Sequence, residues 1–379
     1  MKILYALESV NLAEGFDRVI IEKANYFAER GYDTIICVTS HALAEPYFPI
    51  SEKVRVVDLG LDFHQQYGHN LAYRAYIYFT LMHRYKKAMK HLLAEEKPDI
   101  VITSLGREID FIADMQDGSV KIGESHIAKG FARNFHLMEQ RGGLYRLIAR
   151  HWRRKLEQAV RKLDALVLLT RHDADSWAGL TRTEIIPNSM PFFPEQASSC
   201  ENKQVIFVGR FSEQKGLNYL IKTWEGVYKK HKDWTLHMYG EGEQKAILLD
   251  LIEKADLTDA VVVHEPTRQI MEKYQESSIF LLTSRFEGLP MVLIEAQACG
   301  LPIVSFNCPW GPADIIKNGE DGFLVEYLNT DEAAHRVCQL IENDELRKRM
   351  GRQARINVQR YRRDKVMKRW TDLFESLRS

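Results

Sequence analysis

Residues 286–306 read FEGLPMVLIEAQACGLPIVSF, and this stretch decides the fold. Its last six residues, LPIVSF, form an apolar run that suits a buried strand, and a short helix precedes it. Pro290 suits a first helical position, where a missing N–H costs nothing, and Gly300 suits the residue just past the helix end. The amides of Gly288, Leu289, Met291 and Val292 then have few helical partners and point toward the loop, which makes an anion site. Glu295 lies one to two turns on, roughly 7 Å down the axis at about 1.5 Å per residue. Glu287 sits before the helix, on the opposite side of the anion site. A diphosphate here meets one carboxylate toward each end, suited to hydroxyls of a sugar and of a ribose. The same spacing also fits a capping acid at Glu287 and a solvated helix residue at Glu295.

Working outward, residues 204–216 read QVIFVGRFSEQKG: an apolar strand, a glycine, Arg210, and then Lys215-Gly216. Leu217, Leu220, Ile221, Trp224, Val227 and Tyr228 follow at helical spacing. Two cations therefore flank a strand-to-helix loop, the usual place for phosphate in open α/β sheets. Arginine grips phosphate oxygens bidentately, whereas lysine acts as a mobile point charge. Exposed basic residues in a turn are the alternative for either cation alone. Taken with Glu287 and Glu295 in the same half of the chain, they read as a nucleotide-diphosphate clamp.

VGRFSEQKG followed by FEGLPMVLIEAQACGLPIVS resembles the C-terminal domain of retaining glycosyltransferases of family 4, with Glu287 and Glu295 as the E-x7-E signature. The likeness extends over nearly the whole chain. It implies the GT-B fold, two tandem Rossmann-like doubly wound α/β domains with a ligand cleft between them and a terminal helix that packs back onto the N-terminal one. By resemblance, Arg210 and Lys215 bind the diphosphate of a nucleotide-sugar, the backbone at Gly288 and Leu289 its phosphates, and Glu295 the ribose hydroxyls. Glu287 contacts the donor sugar, and the backbone near Arg268 and Ile270 in PTRQI (266–270) reads the base edge. YGEGEQ (239–244) resembles the loop that closes on the nucleotide. His126, in KIGESHIAKGF, matches a histidine placed against the transferred sugar, and Glu124 and Lys129 flank it toward the acceptor.

Composition agrees. The chain has 379 residues, 45% hydrophobic, enough for two domains of ordinary size. Fifty-two basic residues balance fifty-two acidic ones, so no global charge draws the chain to nucleic acid. The five cysteines are odd in number and widely spaced without zinc spacing, which points to reduced thiols in a cytosol. The start, MKILYALESV, is too short an apolar run for a signal peptide, and no stretch reaches the roughly 18 apolar residues of a membrane span.

Along the chain, KILYAL (2–7), TIICVT (34–39), VRVVDL (54–59), DIVITSL (99–105), VKIG (120–123) and ALVLLT (165–170) read as strands. Segments near 16–30, 70–96 and 134–163 read as helices among them, an alternation that argues a parallel sheet. The pattern recurs in VIFVG, WTLHMY, AVVVH, SIFLLT, LPIVSF and GFLV. The boundaries expected are an acceptor-binding domain over 1–186, a proline-containing linker over 187–203, a nucleotide-sugar-binding domain over 204–361 and a terminal helix over 362–379. Val366, Trp370, Leu373 and Phe374 share one face of that helix.

Three further features bear on chemistry. In NLAEGFDRVI (11–20) the chain keeps the family's Gly15 and Arg18, with Asp17 as the acidic residue, but has Glu14 in place of a first glycine. Gly15 lets backbone approach a phosphate, whereas a carboxylate at 14 is unfavourable there unless it points away. Asp173-Ala174-Asp175 is a D-x-D, but Thr170 before it reads as an N-cap with Asp173 as in a capping box, so no metal ligand is assigned. Residues 141–162 carry eight Lys/Arg against Glu157 alone, which suits either a solvated face or peripheral contact with anionic lipid at the inner face of the cytoplasmic membrane.

The reading is a cytoplasmic, metal-independent retaining hexosyltransferase using a UDP-sugar as substrate, with no cofactor. The acceptor expected is a glycan or lipid-linked sugar in capsule, lipopolysaccharide or exopolysaccharide synthesis, because CPWGPADII (308–316) resembles bacterial members of that kind. A nucleotide-sugar epimerase of the same fold and a non-catalytic sugar-nucleotide-binding subunit are the rivals.

Overall fold

The computed structural model describes residues 1–10, 15–40, 48–66, 68–140 and 142–378. Glu14 and Arg141 lie outside the described residues. The chain divides into two compact units, Met1–Ile186 with Met367–Ser379, and Pro187–Val366.

Among the described residues the first unit holds seven strands: β1 Lys2–Leu7, β2 Asp33–Val38, β3 Val54–Asp58, β4 Ile100–Thr103, β5 Val120–Ser125, β6 Ala165–Leu168 and β7 Thr183–Ile185. They form one parallel sheet in the order β3-β2-β1-β4-β5-β6-β7, which reverses direction between β1 and β4. Its helices are α1 Gly15–Glu29, α2 Leu71–Glu96, α3 Ile109–Ile112, α4 Phe135–Gln140, α5 Gly143–Val160 and α6 Arg171–Trp177. Strands β4 and β6 are buried at every residue, as expected where helices cover both faces and the sequence runs apolar without alternation. Leu4, Ile35, Tyr85, Val101, Phe111 and Trp177 anchor one side of this core.

Two details depart from the sequence reading. The helix expected over 134–163 is two helices, because Gly142 and Gly143 both take positive φ, 69° and 51°, and interrupt the turn. Strand β7 carries no signal in the sequence: TEI is short and half-buried along its length, with no apolar run.

The second unit has six parallel strands: β8 Gln204–Val208, β9 Thr235–Tyr239, β10 Val261–His264, β11 Ile279–Leu282, β12 Ile303–Phe306 and β13 Gly322–Val325. Their order is β10-β9-β8-β11-β12-β13, reversing between β8 and β11. Among them run α7 Leu217–Tyr228, α8 Lys245–Lys254, α9 Ile270–Gln275, α10 Met291–Ala298, α11 Pro312–Ile315, α12 Thr330–Glu342 and α13 Asp344–Asn357. Pro290 is the N-cap of α10, at φ −69° and ψ 96°, so the helix begins one residue later than expected. Gly300 takes φ +81° just past its end, the left-handed turn that favours glycine there.

Residues 187–203, read as a linker, are held along the second unit. Arg347 Nε donates to the Cys200 carbonyl at 2.8 Å, Met190 N–H to Tyr361, and Ser198 N–H to Cys299. The last helix, α14 Arg363–Arg378, belongs to the first unit from Met367 onward, where Phe374 packs 5.3 Å from Phe27. All five cysteines are free and buried. Among the described residues no helix is long and apolar enough to cross a membrane.

Candidate functional site

In a doubly wound sheet, ligands bind beyond the carboxyl ends of the strands where the order reverses. In the second unit that place lies after β8 and β11, and the loops there are VGRFSEQKG and FEGLP. The backbone laces the two together. Arg285 N–H donates to the Gln214 carbonyl at 2.7 Å, and Gln214 Nε2 donates to the Phe286 carbonyl at 3.1 Å. Gly216, at φ +61°, lies so close to the Thr283 carbonyl that any Cβ would overlap it. On the other side, Phe211 N–H donates to Glu241 at 2.7 Å and Gln244 N–H to Phe211 at 2.9 Å, which binds YGEGEQ to the same loop.

Side chains meet on this frame. Lys215 Nζ donates to Glu287 Oε1 at 2.7 Å, and Ser284 Oγ donates to the same oxygen at 2.6 Å. The Lys215 side chain is 14% exposed and that of Glu287 5%. Lysine 215 is thus no freely mobile charge: it neutralises Glu287, which does not cap α10. Arg210 is exposed and forms no ion pair among the described residues. The N–H groups of Met291 and Val292 open α10 ahead of any intrahelical acceptor, beyond the Leu293 N–H bonded to Pro290.

CPWGPADII walls this loop. Glu287 N–H donates to the Pro309 carbonyl at 3.2 Å, and a Cβ on Gly311 would stand 2.5 Å from the Gly288 carbonyl oxygen. Burial pushes the Cys308 thiol well up, and the Glu287 carboxylate adds to it.

Glu295 is half-buried and accepts a 3.0 Å hydrogen bond from Tyr274 Oη, so it is not a solvated helix residue. Tyr274, on α9, is fully buried; burial first, and Glu295 second, hold its hydroxyl protonated. Arg268 is exposed in the turn after β10, and Ile270 opens α9. Beside that turn the sequence reading missed an aromatic stack. The rings of Tyr239 and His264 lie 4.3 Å apart at 7°, and His237 continues the stack at 5.2 Å and 18°. Its signal was the i, i+2 spacing of His237 and Tyr239 on one face of β9, but the β9–β10 register that adds His264 is a tertiary fact.

In the first unit, His126 follows β5, with its side chain 9% exposed and the Phe16 ring edge-on at 4.8 Å. Glu124 and Lys129 do not flank it toward solvent. Glu124 is buried against Lys23 and His126, while Lys129 pairs with Glu157 at 2.9 Å. A Cβ on Gly15 would meet nothing within 4 Å, so the protein's own packing does not require glycine there. Thr170 caps α6 as expected, but Asp173 accepts from the Lys129 amide at 2.9 Å. On α5, Arg153 and Lys155 pair with Glu139 and Asp110, and just past its end Lys162 pairs with Asp114, whereas Arg146, Arg150 and Arg154 on the helix are exposed.

The profile of the family described as "Glycosyl transferases group 1" matches residues 191–357, the span that holds both laced loops, Tyr274 and Glu295. An uncharacterized glycosyltransferase of Haemophilus influenzae is 30% identical over 375 residues, 97% of this chain and 98% of its own. The chain belongs to the group 1 glycosyltransferases. The amylovoran biosynthesis glycosyltransferase AmsD of Erwinia amylovora is 29% identical over 394 residues, 98% of this glycosyltransferase and 99% of its own length. Among solved structures, Anabaena Alr3699/HepE in complex with UDP superposes with a TM-score of 0.75 at 16% identity, covering 99% and 100% of the two chains. The lipopolysaccharide outer core galactosyltransferase WaaB in its apo form gives 0.74 at 17%, covering 99% of each. The fold of this glycosyltransferase is GT-B.

Proposed function

We propose that this glycosyltransferase moves a hexose-type sugar from UDP to a glycan or lipid-linked acceptor during surface-polysaccharide synthesis, retaining the anomeric configuration and needing no metal ion. The observation that carries the reading is the Lys215–Glu287 pair, laced beside exposed Arg210 and the amides that open α10. With Lys215 neutralised by Glu287, the net positive charge there is that of Arg210 and the amides, and Lys215 adds a donor already held in place. Such donors serve a leaving diphosphate, because those fixed before charge develops cost no reorganisation when it does. Arg210 and Lys215 take the diphosphate with the amides of Gly288 and Leu289, and Glu295, oriented by Tyr274, takes the ribose hydroxyls. Glu287 contacts the donor sugar, and the turn near Arg268 and Ile270 takes the base. Gly15 and His126 serve from the first unit, His126 at the transferred sugar.

The acceptor hydroxyl attacks the anomeric carbon on the side the diphosphate leaves, and a donor phosphate oxygen takes its proton. The protein contributes position and charge. Names among the relatives and neighbours support the substrate class: amylovoran synthesis, an outer-core galactosyltransferase, and a complex with UDP. The reading places the enzyme in the cytoplasm, with the exposed arginines of α5 available to the inner face of the membrane. A panel of nucleotide-sugars tests it by thermal shift, where a ligand at about 100 times its dissociation constant adds roughly 2.7 kcal/mol. UDP-sugars should stabilise the protein above other nucleotide-sugars, and no response to any of them would overturn the reading.

A further inference from the structure

Helix α1 buries a lysine. Its inward face carries Ile20, Ile21, Ala24 and Phe27, and Lys23 lies among them at 1% exposure. The Lys23 ammonium donates to both carboxylate oxygens of Glu124 on β5, itself 2% exposed. One face of the ammonium is sealed by the Trp370 ring of α14, whose centroid is 4.0 Å from Nζ, and Tyr5 of β1 stands 5.8 Å away. Residues 124 and 126 alternate to the same side of the sheet at the end of β5, and Glu124 Oε1 lies 3.0 Å from His126 Nε2. That contact has ion-pair distance without hydrogen-bond alignment.

Burying a lysine and a glutamate is costly, and a well-packed apolar pair of similar volume is often as stable. A pair kept charged in the core therefore points to a use for the charge, and His126 is the group it reaches that retains some exposure. Burial works against ionisation of both groups: it draws the Lys23 ammonium down from its usual range with Glu124 opposing, whereas at Glu124 the nearby Lys23 and His126 outweigh burial and hold the carboxyl down at about 2. On the reading that His126 serves the transferred sugar, we infer that Glu124 is a positioning residue for His126. Lys23, sealed by Trp370 of the terminal helix, keeps Glu124 in place for that task. The chain of contacts runs from α14 through α1 to the end of β5, so residues from the two ends of the sequence set one imidazole.

The test compares wild type with Glu124→Gln, Lys23→Met and the double variant, reading the His126 ring resonances by NMR (identified by their loss in His126→Asn), thermal melts, and kcat against KM. Each single variant should melt lower, because it strands a buried partner. The double variant should regain most of the melting temperature. Its His126 signal should stay displaced and its kcat stay down by about 10²-fold, the scale of a misplaced group, with KM for the nucleotide-sugar little changed. A double variant with wild-type His126 resonances and kcat would show the pair to be structural and overturn the inference. If the double variant does not fold, Glu124→Asp keeps the charge for Lys23 but withdraws it from His126; the same displacement is expected, and a wild-type signal overturns the inference. The NMR readout needs no substrate. An inactive wild type therefore counts against the proposed function, and an undisturbed His126 counts against this inference alone.

Discussion

Lys215→Ala should damage both the fold and the reaction. From sequence alone, a loop lysine is expected to affect turnover far more than stability, because such side chains are seldom buried. In the structure its ammonium lies 2.7 Å from Glu287 Oε1, and the two side chains are 14% and 5% exposed. Breaking a fully buried pair from one side costs about 3–5 kcal/mol, since the remaining charge is stranded. Ser284 still donates to Glu287 and Lys215 retains some solvent, so about 2–4 kcal/mol is the better figure here. For a unit of this size that corresponds to a melting temperature lower by roughly 5–15 °C. Turnover should fall by about 10²–10³-fold, the usual loss when one preorganised donor to developing charge is removed. The double variant Lys215→Met/Glu287→Gln separates the effects: its melt should return toward wild type while its turnover stays low. Calorimetric melts and steady-state UDP release measure both. A Lys215→Ala protein that melts like wild type would refute the stability argument, and wild-type turnover in the double variant would falsify the clamp.

Other outcomes follow from the same geometry. Glu295→Ala should weaken UDP binding, whereas Glu287→Ala, which frees the Lys215 charge toward the diphosphate, should lower turnover and the melting temperature without weakening UDP binding. Titration calorimetry with UDP decides, and equal losses of affinity would show the roles wrongly divided. Tyr274→Phe removes the hydroxyl that orients Glu295, a hydrogen bond to a charged group worth about 1.5–3 kcal/mol, and should weaken UDP binding by roughly tenfold or more in the same titration. Activity should survive EDTA, and abolition by EDTA with recovery on magnesium or manganese would contradict the metal-free reading. Burial, with His264 beside it, holds His237 down from 6.5 to about 4. The unfolded chain therefore binds the extra proton first, so stability contributed at neutral pH is lost as pH falls from about 6.5 toward 4. His237→Asn should flatten that part of the melting-temperature profile, and an unchanged slope would contradict it.

Much of the fold was legible because parallel strands covered on both faces are continuous apolar runs. KILYAL, VIFVG and LPIVSF announce themselves, whereas TEI at an edge does not. Strand order was the illegible part, and it carries the site. That β8 lies beside β11 brings Lys215 to Glu287 across 72 residues, and no local pattern encodes such a pair. The same holds for Tyr274 beneath Glu295, and for Lys23, which reaches a carboxylate 101 residues away. CPWGPADII marked a kind of sequence, and only its packing on Glu287 and Gly288 shows what it does.

The diphosphate of a nucleotide-sugar is expected to sit where the order of the second sheet reverses. A crystal structure of the protein with UDP tests it most directly. The diphosphate should lie against Arg210, Lys215 and the amides of Gly288, Leu289, Met291 and Val292, with the ribose on Glu295 and the base near residues 266–270. UDP bound elsewhere in the chain, or no UDP at saturating concentration, would contradict it.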